Sequence, residues 1–173
     1  MDNKIFFVWI SICFITHVIR SIYEILKHKK VMKPNKFTFV IILANMLLLW
    51  VSWFASCAND NQKIELHSII RYLGISLFGI GIIIFLVSLY TIKTLESYEG
   101  DLITKGIYST IRHPMYLGFI LWLIGLPVFF SSASSMIISL IFIANVLFWR
   151  YLEEKELLQR FPEYKDYRKK TLF

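Results

Sequence analysis

Cysteine and charge are both scarce in this chain. Its 173 residues include only two cysteines, Cys13 and Cys57, and 18% of the residues are charged, whereas 57% are hydrophobic. Both cysteines fall in apolar segments without the spacing of a metal site or a disulfide framework, so we expect packed thiols and no metal. The sequence also lacks internal repeats and low-complexity linkers, which favours one domain over residues 1–173. A soluble domain of this size could not bury so much apolar surface, so the composition favours a membrane protein.

Five apolar runs predict an all-α fold, an integral membrane bundle of five transmembrane helices. The middle of each run lacks acidic and basic side chains, and a bilayer core requires about 17–25 such residues in a helix. The runs cover residues 5–26, 37–58, 66–92, 115–130 and 133–152. The fourth run is the shortest and contains Pro127. The first run has no small-residue cleavage site and leads into further runs, so we expect it to be retained rather than removed as a signal peptide.

The distribution of the basic residues predicts how the bundle is oriented. Of the 19 lysines and arginines, five lie in residues 27–36, three between the third and fourth runs, and seven from residue 150 onwards, whereas the two intervening loops contain one, Lys63. This alternation follows the positive-inside rule and predicts an N-terminus outside and a C-terminus in the cytosol. The formal charge of +7 therefore reflects topology, with attraction to the lipid bilayer's anionic headgroups, and does not indicate a nucleic-acid partner.

The sequence changes in character near residue 92. Residues 1–92 hold the first three runs, whereas residues 93–173 hold a polar loop, a hairpin of two runs and a charged tail. The tail predicts an amphipathic cytosolic helix over residues 153–167, because its apolar residues recur at intervals of three to four. Pro162 lies inside that segment and predicts a break near Phe161.

The densest group of candidate functional residues surrounds the start of the fourth run. Pro114 suits the first position of a helix, which places Arg112 and His113 at its N-terminal end on the cytosolic side. The free amides there, with their partial positive charge, suit a carboxylate or another anion. Tyr108 and Tyr116 add rings that could stack on a heteroaromatic group. The alternative is that Arg112 and the tyrosines are ordinary interfacial side chains that extend towards the headgroups.

A second group of charged residues stands at the cytosolic end of the fifth run. If the fourth and fifth runs form an antiparallel hairpin, Arg112 and His113 face Arg150, Glu153 and Glu154. Carboxylates at the edge of a bilayer are costly unless they are paired. These residues could therefore form a structural ion-pair network, or they could bind a ligand that carries both an ammonium and a carboxylate.

Two further sets within the runs have structural explanations. His17, Arg20 and Glu24 share one helix face, and Arg20 and Glu24 are four residues apart, which allows an ion pair. Small residues on the third and fourth runs permit close helix packing, as is common in membranes. These are Gly74, Ser76, Gly79, Gly81, Gly118 and Gly125.

The polar segments of residues 93–173 resemble a known family. The segments are Leu-Ile-Thr-Lys-Gly-Ile-Tyr at residues 102–108, Arg-His-Pro-Met-Tyr-Leu-Gly at 112–118, the run from Glu153 to Phe161, and Tyr-Lys-Asp-Tyr at 164–167. Together they resemble the C-terminal half of the isoprenylcysteine carboxyl methyltransferase family, and the related membrane phospholipid N-methyltransferases share the pattern. The resemblance covers roughly residues 72–170, and the first two runs are similar only in being apolar spans.

The resemblance implies a five-span bundle that binds S-adenosylmethionine near the cytosolic ends of its last two spans. It also implies a lipophilic acceptor that reaches the methyl group from within the bilayer. Arg150 and Glu154 would be the catalytic residues, with the arginine facing the acceptor. The residues expected to bind the cofactor are Leu102, Ile103, Tyr108, Arg112, His113, Pro114, Met115, Tyr116, Glu153 and Glu154. Among them, Arg112 comes from its place at the start of the fourth run rather than from the resemblance.

Three positions depart from the usual pattern of that family. The family arginine stands four residues before the first Glu of the pair, where this chain has Trp149, whereas Arg150 stands four residues before Glu154. Either the register shifts by one residue or Glu154 takes the role of the first Glu. Gly100 stands where a His is common, which removes one possible cofactor contact. Phe161-Pro162 replaces the commoner Phe-Gly.

Methyl transfer also agrees with the residue types independently of the resemblance. Displacement at a sulfonium requires positioning more than acid–base chemistry, so it needs no metal or protein nucleophile. An acceptor carboxylate is already a nucleophile, whereas an amine would have to lose a proton to a nearby Glu or His. Two other hypotheses fit parts of the sequence. One is an NADPH-dependent membrane reductase, because the sterol reductases share a similar Arg-His-Pro-x-Tyr-x-Gly segment, and the other is a non-enzymatic small membrane protein.

Overall fold

The architecture is a bundle of long helices. The computed structural model describes residues 4–32, 35–92 and 101–173, and these ranges contain helices and no β-strand, which confirms the all-α prediction. A 3-10 helix, Gly106–Ser109, precedes the fourth long helix. The α-helices are α1 (Lys4–His28), α2 (Lys36–Asn59), α3 (Ser68–Ile92), α4 (Pro114–Phe130), α5 (Ala133–Arg160) and α6 (Tyr164–Lys170).

The five long helices coincide with the five predicted apolar runs. Four of them, α1, α2, α3 and α5, are long and apolar enough to cross a membrane, and α4 is a shorter apolar helix of 17 residues. Their outward faces carry exposed aliphatic side chains such as Ile83 and Ile137, which are 62% and 69% exposed. Such surfaces are stable in hydrocarbon and costly in water.

The tail differs from the prediction at its start. Instead of a separate helix beginning at residue 153, α5 continues without interruption from Ala133 to Arg160. Glu, Lys and Leu are good helix formers, and no Gly or Pro stands between residues 152 and 160, so nothing ends the helix there. The predicted break near Phe161 is confirmed, since α5 ends at Arg160 and α6 begins after Pro162.

Polar side chains satisfy the ends of two helices. Asn35 and Thr38 form a capping box at the start of α2, in which the Asn35 side chain accepts from the Thr38 amide at 2.9 Å. Asp60 is buried just after the end of α2, but its carboxylate binds the start of α5. It accepts hydrogen bonds from the Ser135 amide and the Ser134 hydroxyl, each at 3.1 Å. Asp60 therefore fixes the far end of α2 to the start of α5.

Helices α3 and α4 approach each other closely at paired glycines. A Cβ added at Gly81 would lie 2.7 Å from the carbonyl oxygen of Gly118, and one added at Gly125 would lie 2.6 Å from that of Gly74. Both distances are shorter than a van der Waals contact, so only glycine fits. The predicted packing role is confirmed for these four residues, whereas Gly79 has open space around it.

The core lies between α1, α2, α4 and α5 and is rich in aromatic rings. His17 stacks on Phe142 with ring centroids 4.0 Å apart, and it lies 5.3 Å from the Trp149 ring. The side-chain amide nitrogen of Asn145 lies 3.3 Å from the Nδ1 atom of His17. Both cysteines, Cys13 and Cys57, are buried as free thiols. His17 is thus a packed core residue, in agreement with the structural interpretation of its helix face.

Candidate functional site

A cavity of about 150 Å³ opens at one end of the bundle. This end, here called the site end, contains the last turns of α1 and α5 and the first turn of α4. The cavity is lined by polar and aromatic residues near the helix ends and by apolar residues deeper in the bundle. The apolar wall comprises Phe39, Ile42, Leu43, Met46, Trp50 and Phe119, chiefly from α2.

The first turn of α4 forms one wall of the cavity. Pro114 occupies the first helical position, and His113 is the cap residue but provides no side-chain cap hydrogen bond. The imidazole instead shares a hydrogen bond with the Tyr164 hydroxyl, at 3.2 Å from Nε2, and its Nε2 lies 3.4 Å from Oε1 of Glu154. The amides of the first turn of α4 therefore remain available to an anion, and His113 is fixed by α5 and α6.

Arg112 binds protein groups on several sides. Its Nη1 donates to the carbonyl oxygens of Arg168, at 2.9 Å, and of Thr171, and its Nε lies 3.4 Å from Oε1 of Glu154. The chain beside it pairs with the C-terminal segment, because the Arg112 amide donates to the carbonyl of Leu172 at 2.9 Å. Arg112 thus fixes α6 and the final residues against the start of α4.

Three tyrosines around the cavity remain protonated well above neutral pH. Burial raises the pKa of Tyr108 and of Tyr164, and nearby carboxylates add to the effect in each case. Burial also raises the pKa of Tyr167 to about 12. The Tyr167 hydroxyl donates to the Tyr108 carbonyl oxygen. All three phenols are therefore neutral hydrogen-bonding groups rather than bases.

The two adjacent glutamates of α5 face different surroundings. Glu154 is buried against Arg112 and His113, whereas Glu153 lines the cavity and interacts electrostatically with Tyr116. Arg150 lies away from the cavity, with its guanidinium 4.5 Å from the centre of the Phe173 ring. One turn of α5 therefore presents one carboxylate to the cavity and another to the residues behind it.

Helix α1 contributes a charged wall that the sequence analysis assigned to structure. Glu24 forms ion pairs with Arg20 and, at 3.6 Å, with Lys27, and Lys27 also lies 4.0 Å from Glu156. The predicted Arg20–Glu24 pair is confirmed. The position of these residues at the cavity was missed, and the signal available was the charged face of α1 near its basic end.

The cavity collects most of the predicted cofactor residues. Those that line it are Leu102, Ile103, Tyr108, Arg112, His113, Met115, Tyr116 and Glu153. Pro114, Arg150 and Glu154 do not line it; Pro114 and Glu154 are buried behind the wall. Tyr164 and Tyr167 of α6 line the cavity although neither was predicted as a site residue. Gly100, one of the departures from the family pattern, lies outside the described residues.

The described residues do not form a cluster of metal-binding side chains. Among residues 4–32, 35–92 and 101–173, no three His, Cys, Asp or Glu side chains are arranged to hold a metal ion. The cavity instead combines aromatic rings, neutral phenols, free helix amides and charges of both signs, and this set suits a zwitterionic organic ligand.

The fold and cavity agree with one class of protein: helical bundles whose apolar helices could span a membrane and whose cavity, at one end, has a polar and charged lining. The family model of phospholipid methyltransferases matches residues 69–164, more than half of the chain. The chain belongs to this family. The matched segment contains nearly all of α3 and the whole of α4 and α5, and the first turn of α4 and the last turns of α5 border the cavity.

Curated relatives are methyltransferases from yeasts and a plant. The chain is 34% identical over 89 residues to the protein-S-isoprenylcysteine O-methyltransferase of Saccharomyces cerevisiae, covering 47% of this chain and 35% of the yeast protein. Over 66 residues it is 32% identical to protein-S-isoprenylcysteine O-methyltransferase B of Arabidopsis thaliana, covering 38% and 31%. The Schizosaccharomyces pombe enzyme is 34% identical over 78 residues, covering 40% and 30%. The matched region spans about a third of each relative. No solved structure matches the chain.

Proposed function

We propose that this protein transfers a methyl group from S-adenosylmethionine to a lipophilic acceptor at the membrane interface. Membership of the phospholipid methyltransferase family supports the reaction. The observation that carries the proposal to particular residues is the cavity. It brings Tyr108, His113, Tyr116 and Glu153, which are distant in sequence, around one space at the end of an apolar bundle.

The cavity residues fit S-adenosylmethionine group by group. Glu153 supplies a negative charge for the sulfonium or the ammonium, and the first-turn amides of α4 can bind the carboxylate. The rings of Tyr108 and Tyr116 suit the adenine base. When bound, the cofactor would supply an electrophilic methyl group. The protein's part is to hold the donor and to exclude water, which is the work of positioning.

The apolar wall of the cavity suits a lipid-borne acceptor. Phe39, Met46 and Trp50 of α2 extend the cavity from its charged mouth towards the middle of the bundle, so an apolar chain can lie along them. The relatives are named for isoprenylcysteine and the family for phospholipids. Either kind of acceptor combines an apolar chain with a polar nucleophile, as the cavity requires.

We also propose that the site end faces the cytosol, with the N-terminus outside. The basic segments after α1, before α4 and after residue 150 belong to this end of the bundle. The positive-inside rule favours their cytosolic location. S-adenosylmethionine is charged and water-soluble, so a site open to the cytosol can reach it directly.

Calorimetric titration of the purified protein in detergent tests cofactor binding. S-adenosylhomocysteine, the demethylated product, should bind saturably, and NADPH should not bind. Glu153→Gln should weaken S-adenosylhomocysteine binding by roughly 10-fold or more, since a charge-assisted hydrogen bond contributes about 1.5–3 kcal/mol. Glu65→Gln is the matched control, because Glu65 is exposed and lies in the connection at the opposite end of the bundle.

Three outcomes would contradict this account. No binding of S-adenosylhomocysteine at millimolar concentration would exclude the proposed donor. Binding of NADPH instead would favour the reductase hypothesis. Normal binding by Glu153→Gln, with helicity unchanged, would show that the donor binds away from this cavity.

A further inference from the structure

The apolar face of α2 continues beyond the cavity at the site end. The α2 residues that line this cavity follow the three-to-four spacing of one helix face. They are Phe39, Ile42, Leu43, Met46 and Trp50. Trp53 stands three residues after Trp50 and so lies close to the same face, but it does not line this cavity. The face therefore extends deeper into the bundle than the cavity does.

A smaller cavity of about 20 Å³, here called the inner cavity, lies next to the larger one. Its lining includes Trp53 of α2, Trp122 of α4 and Val146 of α5. On each of these helices, the residue that lines the inner cavity lies further from the site end than those that line only the larger cavity. The inner cavity is therefore the deeper of the two, and its aromatic and aliphatic walls suit hydrocarbon.

Trp50 stands between the two cavities. Three of the described residues, Met46, Trp50 and Phe119, line both of them, and the indole is the largest of these side chains. Its ring centroid lies 5.3 Å from that of Phe85 on α3, and 5.9 Å and 5.3 Å from those of Phe119 and Trp122 on α4. Because rings of two other helices hold the indole, it forms a fixed floor to the larger cavity.

We propose that Trp50 limits the length of the apolar chain that the methyl acceptor can carry. This inference rests on the proposed methyltransferase function and names the residue that selects among lipophilic acceptors. A chain that lies along the α2 face, with its polar group at the charged end, meets the Trp50 indole with its far end. Trp50 stands eleven residues after Phe39, about 16 Å along the helix at 1.5 Å per residue, which sets the scale of the limit.

The selection acts by fit rather than by hydrophobicity. Lipid tails are as apolar as the cavity wall, so a chain gains little by leaving the bilayer for the cavity. A chain that is too long must instead displace a ring that three others hold. Overfilling a packed apolar space costs enough to weaken binding by roughly 10-fold or more. The family model matches from residue 69 onwards, so the selecting residue lies on a helix outside the matched segment.

Methyl transfer to acceptors of graded chain length tests the assignment. Two series are used with labelled S-adenosylmethionine, S-alkyl-N-acetylcysteines and lysophosphatidylethanolamines, each with straight chains that lengthen by two carbons at a time. The wild-type kcat/KM should fall by roughly 10-fold or more beyond one chain length. In Trp50→Ala this limit should move by about three to four carbons, since Trp53 lies three residues, or about 4.5 Å, deeper. The affinity for S-adenosylhomocysteine should not change.

Three further variants control this test. Leu123 lines the inner cavity and not the larger one, so Leu123→Phe should keep the wild-type limit and should reverse the gain in Trp50→Ala/Leu123→Phe. Trp9 lines neither cavity, so Trp9→Ala should also keep the limit. Trp50→Leu leaves a smaller space than Trp50→Ala and should move the limit by fewer carbons. It tests the same point if the larger truncation lowers helicity.

The outcomes separate this inference from the proposed function. If the wild-type protein methylates chains of every length equally well, or if both Trp50 variants keep its limit, the assignment of Trp50 is wrong and the methyltransferase function stands. A gain that persists in Trp50→Ala/Leu123→Phe would also overturn the assignment, because the added carbons would lie outside the inner cavity. If a protein that binds S-adenosylhomocysteine methylates neither series, the cavity does not receive an acceptor chain. Failure to bind S-adenosylhomocysteine would overturn the proposed function itself.

Discussion

Glu153 and Glu154 are adjacent in α5, but their side chains have different surroundings. Successive residues of an α-helix point about 100° apart, so adjacent carboxylates leave the helix in different directions. Glu154 turns to Arg112 and His113, and Glu153 turns to the cavity and Tyr116. We therefore propose that Glu154 positions His113 and that Glu153 would contact the methyl donor.

Tyr164 offers a test of the residues behind the cavity wall. Tyr164→Phe removes the hydroxyl that shares a hydrogen bond with His113 at 3.2 Å but keeps the buried ring. We expect S-adenosylhomocysteine affinity to fall by roughly 3- to 10-fold, since a neutral hydrogen bond contributes about 1 kcal/mol. The helical content should not change.

Tyr151→Phe is the matched control, because Tyr151 lies on the exposed face of α5. Equal affinities for Tyr164→Phe, Tyr151→Phe and the wild-type protein would show that the position of His113 does not depend on α6.

The sequence predicted the cavity residues at the start of α4 better than those on α5. Pro114 marks the start of a helix by its own chemistry, so Arg112, His113 and Tyr116 could be placed near one another from sequence. Arg150 could not be placed in the same way. Whether it faces the cavity depends on how α5 is rotated about its axis, and that rotation is set by packing around Trp149 rather than by local sequence.

Helices α3 and α4 support the cavity through a close crossing. We predict that Gly81→Ala destabilises the protein by about 1–3 kcal/mol, because the added methyl group would lie 2.7 Å from the Gly118 carbonyl oxygen. Thermal unfolding in detergent, followed by circular dichroism, measures the effect as a lower Tm.

Gly79→Ala is the matched control on the same helix. Nothing lies within 4 Å of a Cβ at Gly79, so its Tm should stay close to that of the wild-type protein, within about 0.5 kcal/mol of stability. Similar Tm values for both variants would contradict the close crossing.

Element boundaries were predictable where apolar runs defined them, and less so in the tail. All five long helices could be found from hydrophobicity alone, because a helix in a bilayer must satisfy its own backbone. The extension of α5 through Arg160 was missed, since a change from apolar to charged residues was interpreted as a boundary although no residue breaks the helix. The contribution of α1 to the cavity depends on tertiary packing, and the charged face of α1 near its basic end was the one sequence signal for it.

At the scale of the whole molecule, most of the basic residues lie at the same end of the bundle as the cavity. The ends of the helices that carry most of the lysines and arginines are the ends that surround the cavity. The basic residues would thus orient the bundle and, at Arg20 and Lys27, also border the site. In the proposed orientation, a water-soluble donor would reach the cavity from the cytosol and a lipid acceptor would reach it from the bilayer.

Methyl transfer in sealed membrane vesicles tests this arrangement most directly. S-adenosylmethionine labelled in its methyl group is added outside vesicles of either orientation, and label is counted in the extracted lipid-soluble fraction. Vesicles with the cytosolic face outward should incorporate label at once, and Glu153→Gln should reduce the rate by roughly 10-fold or more. Vesicles of the opposite orientation should incorporate label only after they are permeabilised. Equal incorporation by both intact orientations, or none after permeabilisation, would contradict the account.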